Sequence, residues 1–591
     1  MKLSDYVMKF LSDKGVKTVF MLPGGGCMHL VDSLGRNANL EYVTCLHEQT
    51  ATIAAESFAQ NTNELGVVLV TTGPGGTNAI TGLAAAWIDS TPLLVISGQV
   101  KRSDIKGDSG VRQMGSQEVD IVPVVKSLTK YATTVMNPNK IRAILEEAFY
   151  EATSGRRGTV WVDIPLDVQG SEIDESTLES FTPARKNFGV DKSVVDKIKL
   201  QIEKSKRPLI LAGNGIKSAG MEKIFTEFID KVKMPTLLTW KSIDMLDGDN
   251  DLYFGCPGGM GHRYANFILQ NSDCLLILGS RLDSSLTAWN HENFAPRAKK
   301  IMVDVDSAEI EKMKMDLEVK LVADLKDVMP LLCQEEYSLN ASALEEWLSY
   351  CRRMKAKYPA VTASMYEQMD FVNAHAFVEE LSNQLAADDV IVPESSGGAG
   401  EIVYQAFKVK LGQKMKNAAG LGSMGFGLPY ALGACIANGK RRTVLINGDG
   451  AFQLNIQELA TIVGHNLPIK IFIWENGGYA SIQATQRNFF AGNYVGSNTD
   501  SKLFLPNIKK VAEAYGLKTF QLNSNAEMKK VIAEVLNSEG SALCQVKVSP
   551  TEIAMPRVKS MKLPNGSMAS KPLEDMWPYL DESELRENML D

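Results

Sequence analysis

Short runs of aliphatic and β-branched residues recur along the chain, separated by stretches whose apolar residues return every three or four positions. GVVLVTT (66–72), TPLLVISG (91–98), TVWVDIP (159–165), RPLILAG (207–213), DCLLILG (273–279), KKIMVDVD (299–306), RTVLING (442–448) and LPIKIFIW (467–474) are such runs. Apolar runs without polar alternation predict strands buried on both faces, and the helical periodicity between them predicts parallel sheets covered by helices. The class is α/β, with enough strands for three doubly wound parallel-sheet domains.

Polar stretches punctuate this pattern. Residues 170–190, GSEIDESTLESFTPARKNFGV, carry few large apolar side chains. We take 1–170 as a first domain and 171–190 as a linker. A charged helical stretch precedes VIVPESS (390–396), which predicts a central domain over 191–340, a helical linker over 341–370 and a third domain over 371–550. Residues 551–591, rich in Pro, Met and charge, read as an arm. The opening MKLSDYVMKFLSDKG predicts an amphipathic helix with Leu3, Val7, Phe10 and Leu11 on one face.

Composition narrows the function classes. A chain of 591 residues exceeds a single core and divides into about three or four domains. A net charge of -8 offers no broad basic surface, so no nucleic-acid partner is expected. The eight cysteines form no CxxC pair and read as reduced core thiols. With no run approaching the ~20 apolar residues of a membrane span, no membrane partner and a cytoplasmic location are expected.

The richest constellation lies in the third domain: a strand into GDG (448–450), a helical stretch AFQLNIQELATIVGHN, then a strand into Glu475 and Asn476. Consecutive parallel strands deliver their C-terminal ends to one sheet edge, so Asp449 and Asn476 are expected to meet there. A carboxylate, an amide oxygen and a carbonyl freed by Gly477 and Gly478 suit magnesium, which keeps places for phosphate oxygens and water. GDG alone reads equally as a tight strand-to-helix turn.

This pairing resembles the diphosphate-metal signature of thiamine diphosphate enzymes. The resemblance extends to the acetohydroxyacid (acetolactate) synthase-like branch through PGGG (23–26), HEQ (47–49), TTGPGGTNAITGLAAAW (71–87), SQEVD (116–120), GRRGTVWVDIPLDVQ (155–169) and GLGSMGFGLPYALGA (420–434). It implies that Glu48 meets the cofactor's aminopyrimidine. The helix that Glu48 opens suggests burial, which penalises the charged form of a carboxyl and suits proton exchange with a ring nitrogen. Pro74, Asn78, Ser396, Gly397, Gly422, Met424, Gly448, Asp449, Gly450, Ala451, Asn476, Gly478 and Tyr479 are the other implied thiamine diphosphate contacts, with Asp449, Asn476 and the Gly478 carbonyl on magnesium. In the family the site lies between two chains, which implies a homodimer or homotetramer.

AGNGIKS (212–218), LGSRLDS (278–284) and VDVDSAEI (303–310) resemble the same branch's flavin-carrying domain. The resemblance implies a structural FAD held by Arg156, Gly213, Gly215, Gly279, Arg281, Asp304 and Asp324. A lone strand, glycine turn and VDVD suit a vestigial nucleotide fold equally well.

The first half-reaction of the branch decarboxylates a 2-keto acid, usually pyruvate, with the thiazolium as electron sink. Gln117 joins Glu48 as an implied catalytic residue, and Gly25, Ser116, Gln117, Ser285, Ile482 and Thr485 are implied to face substrate. Departures bear on the acceptor. Where acetolactate synthases read RFDDR, with the second arginine on the acceptor carboxylate, this chain reads RLDSS (281–285) and places Ser285 there. Losing one partner of a desolvated charge pair costs about 2 to 5 kcal/mol. Thr485 stands in place of a pocket tryptophan and Ser116 in place of an aromatic. A roomier, more hydroxylic pocket suits a hydroxyl-rich carbonyl acceptor such as a nucleotide-linked keto-sugar, and GYASIQATQRNFF with the C-terminal tail is similar to members of surface-polysaccharide and branched-sugar pathways. A true acetolactate synthase is the alternative, and a simple decarboxylase is a lesser one. Retention of Glu48, Asp449, Asn476 and Met424 argues against a non-catalytic relative. ESSGGAG (394–400) replaces the usual GQHQ, so Ser395, Ser396 and backbone amides are expected to substitute, and Glu475 has no assigned role.

Overall fold

Three parallel sheets carry the chain. The computed structural model describes residues 1–183, 189–562 and 566–590, so part of the expected linker, residues 184–188, lies outside them. The first sheet is built from β1 (Thr18–Met21), β2 (Glu41–Thr44), β3 (Gly66–Val70), β4 (Leu93–Gln99), β5 (Tyr131–Thr134) and β6 (Thr159–Pro165). Its order is β2-β1-β3-β4-β6-β5. The second sheet comprises β7 (Pro208–Ala212), β8 (Thr236–Leu238), β9 (Cys274–Leu278), β10 (Lys299–Asp304) and β11 (Val319–Val322), in the order β11-β10-β9-β7-β8.

The third sheet is built from β12 (Val390–Pro393), β13 (Lys414–Met415), β14 (Thr443–Gly448), β15 (Ile469–Glu475), β16 (Lys518–Leu522) and β17 (Ala542–Lys547). Its order, β13-β12-β14-β15-β17-β16, repeats that of the first sheet. All pairings within the three sheets are parallel, which is why their strands read as uninterrupted apolar runs.

The cores run across domain boundaries. One cluster joins Ile210, Leu276 and Phe228 of the central domain to Val444, Ile446 and Phe472 of the third. Another joins Ile53, Val68 and Val70 of the first domain to Leu432, Leu445 and Ile471. The N-terminal helix Leu3–Asp13 buries Leu3, Val7, Phe10 and Leu11, and seven of the eight cysteines are buried. Among the described residues no helix is long and apolar enough to cross a membrane.

Helix Glu48–Thr62 crosses helix Gly427–Ala437 at backbone contact. A Cβ on Gly433 would stand 2.1 Å from the Ala54 carbonyl oxygen, and Ser57 Oγ donates to Tyr430 O at 2.7 Å. Neither helix backbone yields as a side-chain tip would. Gly433→Ala is therefore expected to destabilise the protein by about 3 kcal/mol, the upper range for overpacking, seen as a lowered midpoint of thermal unfolding. An unchanged midpoint would contradict the close crossing.

The stretch after GDG is not one helix. A turn at Asp449–Phe452, a 3-10 segment at Gln453–Glu458 and a final helix Leu459–Gly464 replace it. The break falls at Asn455 (φ -140°), whose Nδ2 donates to Gly425 O at 2.8 Å and whose Oδ1 accepts from Thr50 Oγ1 at 3.2 Å. Contacts to two other segments outweigh continuation of the helix.

The arm returns to the central domain. Asn266 Nδ2 donates to Leu573 O at 2.9 Å, Asn271 Nδ2 to Asn588 O at 3.0 Å, and Val558 N to Gly259 O at 2.7 Å. A small antiparallel pair, Ser560–Lys562 with Met568–Ser570, projects from it.

Candidate cofactor and active site

Strands β14 and β15 are in register through Gly448 and Trp474, so Asp449 and Asn476 leave the same edge side by side. The buried Asp449 carboxylate collects backbone N–H groups from Gly450 (2.7 Å), Gly477 (2.9 Å), Gly478 (3.1 Å) and Asn476 (3.2 Å). Burial pushes its carboxyl up to about 6, opposed by those donors. The inward end of the Asn476 side-chain amide stands 3.0 Å from Asp449 Oδ1 and 3.1 Å from the Gly478 carbonyl oxygen: turned one way its NH2 donates to both, turned the other its oxygen completes a three-oxygen set.

Without a cation the amide gains by turning its NH2 toward the other two oxygens. With one, the oxygen-facing form is favoured. Magnesium bonds of about 2.1 Å in an octahedron put neighbouring ligand oxygens about 3.0 Å apart, so the spacing fits that ion. A Cβ on Gly478 (φ +119°) would stand 2.5 Å from Ser497 O, and one on Gly450 2.6 Å from the Tyr479 ring. Glycine is required at both places.

Around this edge the chain ends are small. Ser396 is half-buried before Gly397 (φ +71°), at the start of helix Gly398–Ala406. A Cβ on Gly397 would stand 3.0 Å from Ser481 Oγ, so Ser481, not singled out within its segment by the sequence, faces it. Ser395 accepts from Ala418 N at 3.1 Å and is committed to that contact. Gly422 has φ +63°, Met424 is 36% exposed, and Ala451 is buried in the turn after Gly448. Glu475 is an exposed strand end, and among the described residues its side chain makes no hydrogen bond to Asp449, Asn476 or Gly478.

In the first domain Glu48 is 5% exposed at the start of its helix, and Asn78 Nδ2 donates to its Oε2 at 2.9 Å. His47 caps the helix by accepting from Gln49 N at 3.0 Å. Pro74 opens the helix that carries Asn78. Gly25 is exposed, with nothing within 4 Å of a Cβ built on it. No hydrogen bond among the described residues joins Glu48 to Asp449, Asn476 or Gly478. The two halves of the expected site stand as separate groups.

A cavity of about 710 Å³ opens where the three domains meet, lined by Arg156, Gly215, Gly279, Arg281, Asp304 and Asp324 among others. Gly213 is absent from the wall: a Cβ there would stand 2.3 Å from Gly279 O, so it supports the turn from behind. Arg156 pairs with Asp306 (2.8 Å) and Glu309 (2.7 Å) and donates to Ser90 Oγ at 2.9 Å. Burial pushes the Asp304 carboxyl up to about 6. Lys241 also lines the cavity and pairs with Asp89 at 2.6 Å; nothing in its local sequence marked it.

The residues expected to face the acceptor are dispersed. Ser285 lines this same cavity and donates to Asp283 Oδ1 at 2.5 Å, and Arg281 donates to Ile88 O at 2.8 Å. Thr485 Oγ1 turns back to Ser481 O at 3.1 Å on helix Ala480–Phe489, where Ile482 is 47% exposed. Ser116 and Gln117 are exposed on a first-domain loop.

Known proteins match this layout. The N-terminal TPP binding domain, central domain and C-terminal TPP binding domain of thiamine pyrophosphate enzymes match residues 1–124, 195–332 and 396–546. The acetolactate synthase isozyme 2 large subunit of Escherichia coli (strain K12) is 32% identical over 576 residues, 97% of this chain and 99% of that protein. The acetolactate synthase large subunit of Lactococcus lactis subsp. lactis (strain IL1403) is 30% identical over 94% of both. The chloroplastic acetolactate synthase of Arabidopsis thaliana is 32% identical over 95% of this chain and 83% of its own. With the three domain models in sequence order on the three sheets, the chain belongs to the thiamine pyrophosphate enzymes and is related along nearly all its length to acetolactate synthase large subunits.

Proposed function

We propose that this enzyme decarboxylates pyruvate and ligates the two-carbon unit to a carbonyl acceptor other than a second 2-keto acid, of which a nucleotide-linked keto-sugar is the leading class. The convergence of the Asp449 carboxylate, the Asn476 amide and the Gly478 carbonyl, with the amide 3.0 and 3.1 Å from the other two, carries the cofactor half of this reading, because with the amide oxygen turned inward that spacing suits magnesium on a diphosphate. When bound, thiamine diphosphate supplies the electron sink for loss of CO2. Glu48 would exchange a proton with the bound cofactor's pyrimidine, Asn78 fixes the orientation of that carboxyl, and Ser396, Gly397 and Ser481 would leave room for phosphate oxygens. Met424 and Tyr479 would flank the bound cofactor. The full site needs two copies of the chain, consistent with exposed apolar side chains on the third domain at Leu454, Ile482, Phe489, Phe490 and Phe504.

The cavity between the three domains is of a size for a dinucleotide, and we assign FAD to it, with Asp304 and Asp324 toward ribose hydroxyls and Arg156 toward phosphate.

For the acceptor, the support is the residue at 285: a serine hydroxyl bonded to Asp283 stands where the resemblance puts the second arginine, and Arg281 donates to a first-domain carbonyl. The relatives' names favour a second reading, acetolactate synthesis. Incubation with thiamine diphosphate, magnesium and pyruvate, with and without a pool of nucleotide keto-sugars, separates the two. CO2 release with little acetolactate, and sugar-dependent product, is expected; efficient acetolactate formation from pyruvate alone would overturn the sugar reading.

A further inference from the structure

One buried carboxylate folds the first-domain loop that carries Ser116 and Gln117. Glu118 is 4% exposed. Its Oε1 accepts from Lys106 N at 2.6 Å, and its Oε2 from Met114 N at 2.7 Å and Gly115 N at 3.2 Å. Gln113 Nε2 donates to the Glu118 carbonyl at 3.1 Å. These backbone donors outweigh desolvation and hold the Glu118 carboxyl below its ordinary range. The loop therefore closes around a charge and not around an apolar plug.

The next residue is pinned from below. Gln99 Nε2 donates to Val119 O at 2.9 Å and to Asp163 Oδ2 at 3.1 Å, while Gln99 Oε1 accepts from Thr72 Oγ1 and Val100 N, both at 2.9 Å. Between these anchors Gln117 adopts φ +63°, a left-handed conformation that an ordinary side chain disfavours. Its carbonyl presses on Gly73, where a Cβ would stand 2.2 Å from it. Gly73 precedes Pro74 and the helix of Asn78, so the loop leans on the segment that orients Glu48.

We propose that Glu118 is a positioning residue: by folding residues 104–118 it presents Ser116 and Gln117 to the acceptor and sets how often the two-carbon unit is ligated. This rests on the reading above of that loop as part of the acceptor site. After pyruvate loses CO2, the two-carbon unit has two exits. The electron pair left by CO2 on that carbon takes a proton, giving acetaldehyde, or it forms the bond to the acceptor's carbonyl carbon, whose C=O π pair moves to oxygen and takes the proton. Among the described residues Glu118 makes no hydrogen bond to Glu48, Asn78 or Asp449, and its loop meets the Asn78 segment through the backbone contact of Gln117 O with Gly73, so its loss is expected to bear on the second exit more than on CO2 release.

The test uses the holoenzyme with pyruvate as donor and propanal as acceptor probe. In Glu118→Gln one oxygen becomes an amide that no longer accepts from the loop. Ligated product per CO2 is expected to fall at least tenfold while the CO2 rate falls less than threefold. Unchanged product per CO2 would overturn the proposal and leave the proposed function standing, as would equal loss of both rates, which marks a general folding role. Hydrogen exchange provides an independent arm, decisive if the variant is insoluble or if the wild type releases no CO2, the outcome that defeats the proposed function instead. Slow exchange at the amides of Lys106, Met114 and Gly115 in the wild type supports the clamp, and fast exchange there overturns it.

Discussion

Replacement of Glu48 by glutamine is expected to lower CO2 release from pyruvate by about 10² to 10⁴-fold, the usual contribution of a positioned acid-base group. The substitution preserves shape. Asn78 Nδ2 donates to Glu48 Oε2 at 2.9 Å, and a glutamine carbonyl accepts the same bond, so the first turn of the helix has no reason to move. The amide loses the capacity to exchange a proton. Helix packing rests on Thr52 Oγ1 to Glu48 O, a backbone contact that survives the change. Thermal unfolding should therefore match the wild type while the rate of CO2 release collapses, and cofactor titration should still reach saturation. Undiminished CO2 release would remove Glu48 from the chemistry.

How much of this was legible in the sequence differs by distance. Strands buried on both faces announce themselves as apolar runs, and the parallel pairing of β14 with β15 follows from the helical stretch between them. The meeting of Asp449 and Asn476 was thus readable from spacing and topology alone. Contacts between segments far apart in the chain were not. The break at Asn455 depends on Thr50 and Gly425, and the Lys241–Asp89 pair joins two domains. Ser481 faces Gly397 because two helix starts converge on the third sheet's edge, which neither local pattern states. The SQEVD motif was visible, but the role of Glu118 was not, since its partners are main-chain amides that no side-chain pattern records.

The same logic explains the arm. Its Pro, Met and charge read as a segment without a core of its own. What seats it is the polar face of helix Arg263–Asn271: Asn266 and Asn271 spend their side-chain amides on carbonyls of Leu573 and Asn588. Buried amides paired to a returning backbone fix one register, since an unpaired one costs free energy. Amphipathic patterning alone would have placed both asparagines toward water.

Gly478→Val is expected to raise the magnesium concentration needed for half-maximal activity at least a hundredfold. Two demands fall on this residue together. Its φ of +119° excludes a branched side chain, and a Cβ would stand 2.5 Å from Ser497 O and 2.8 Å from Leu503 Cδ2. The loop at residue 497 cannot simply retreat, because Gln483 Nε2 ties it at 3.1 Å and Gly477 O at 3.2 Å, and Tyr479 N donates to Ser497 O at 2.9 Å. The Gly478 carbonyl must shift instead, and magnesium tolerates little departure from octahedral geometry. Gly477 provides the contrast, since it also has a positive φ (+78°) but nothing lies within 4 Å of its Cβ position. Gly477→Ala should therefore show only the backbone penalty of about 1 kcal/mol and a magnesium dependence within a few-fold of the wild type. Magnesium titration of cofactor-dependent CO2 release checks both. Equal behaviour of the two variants would deny the Gly478 carbonyl its place on the metal, because strain alone would then account for the pair.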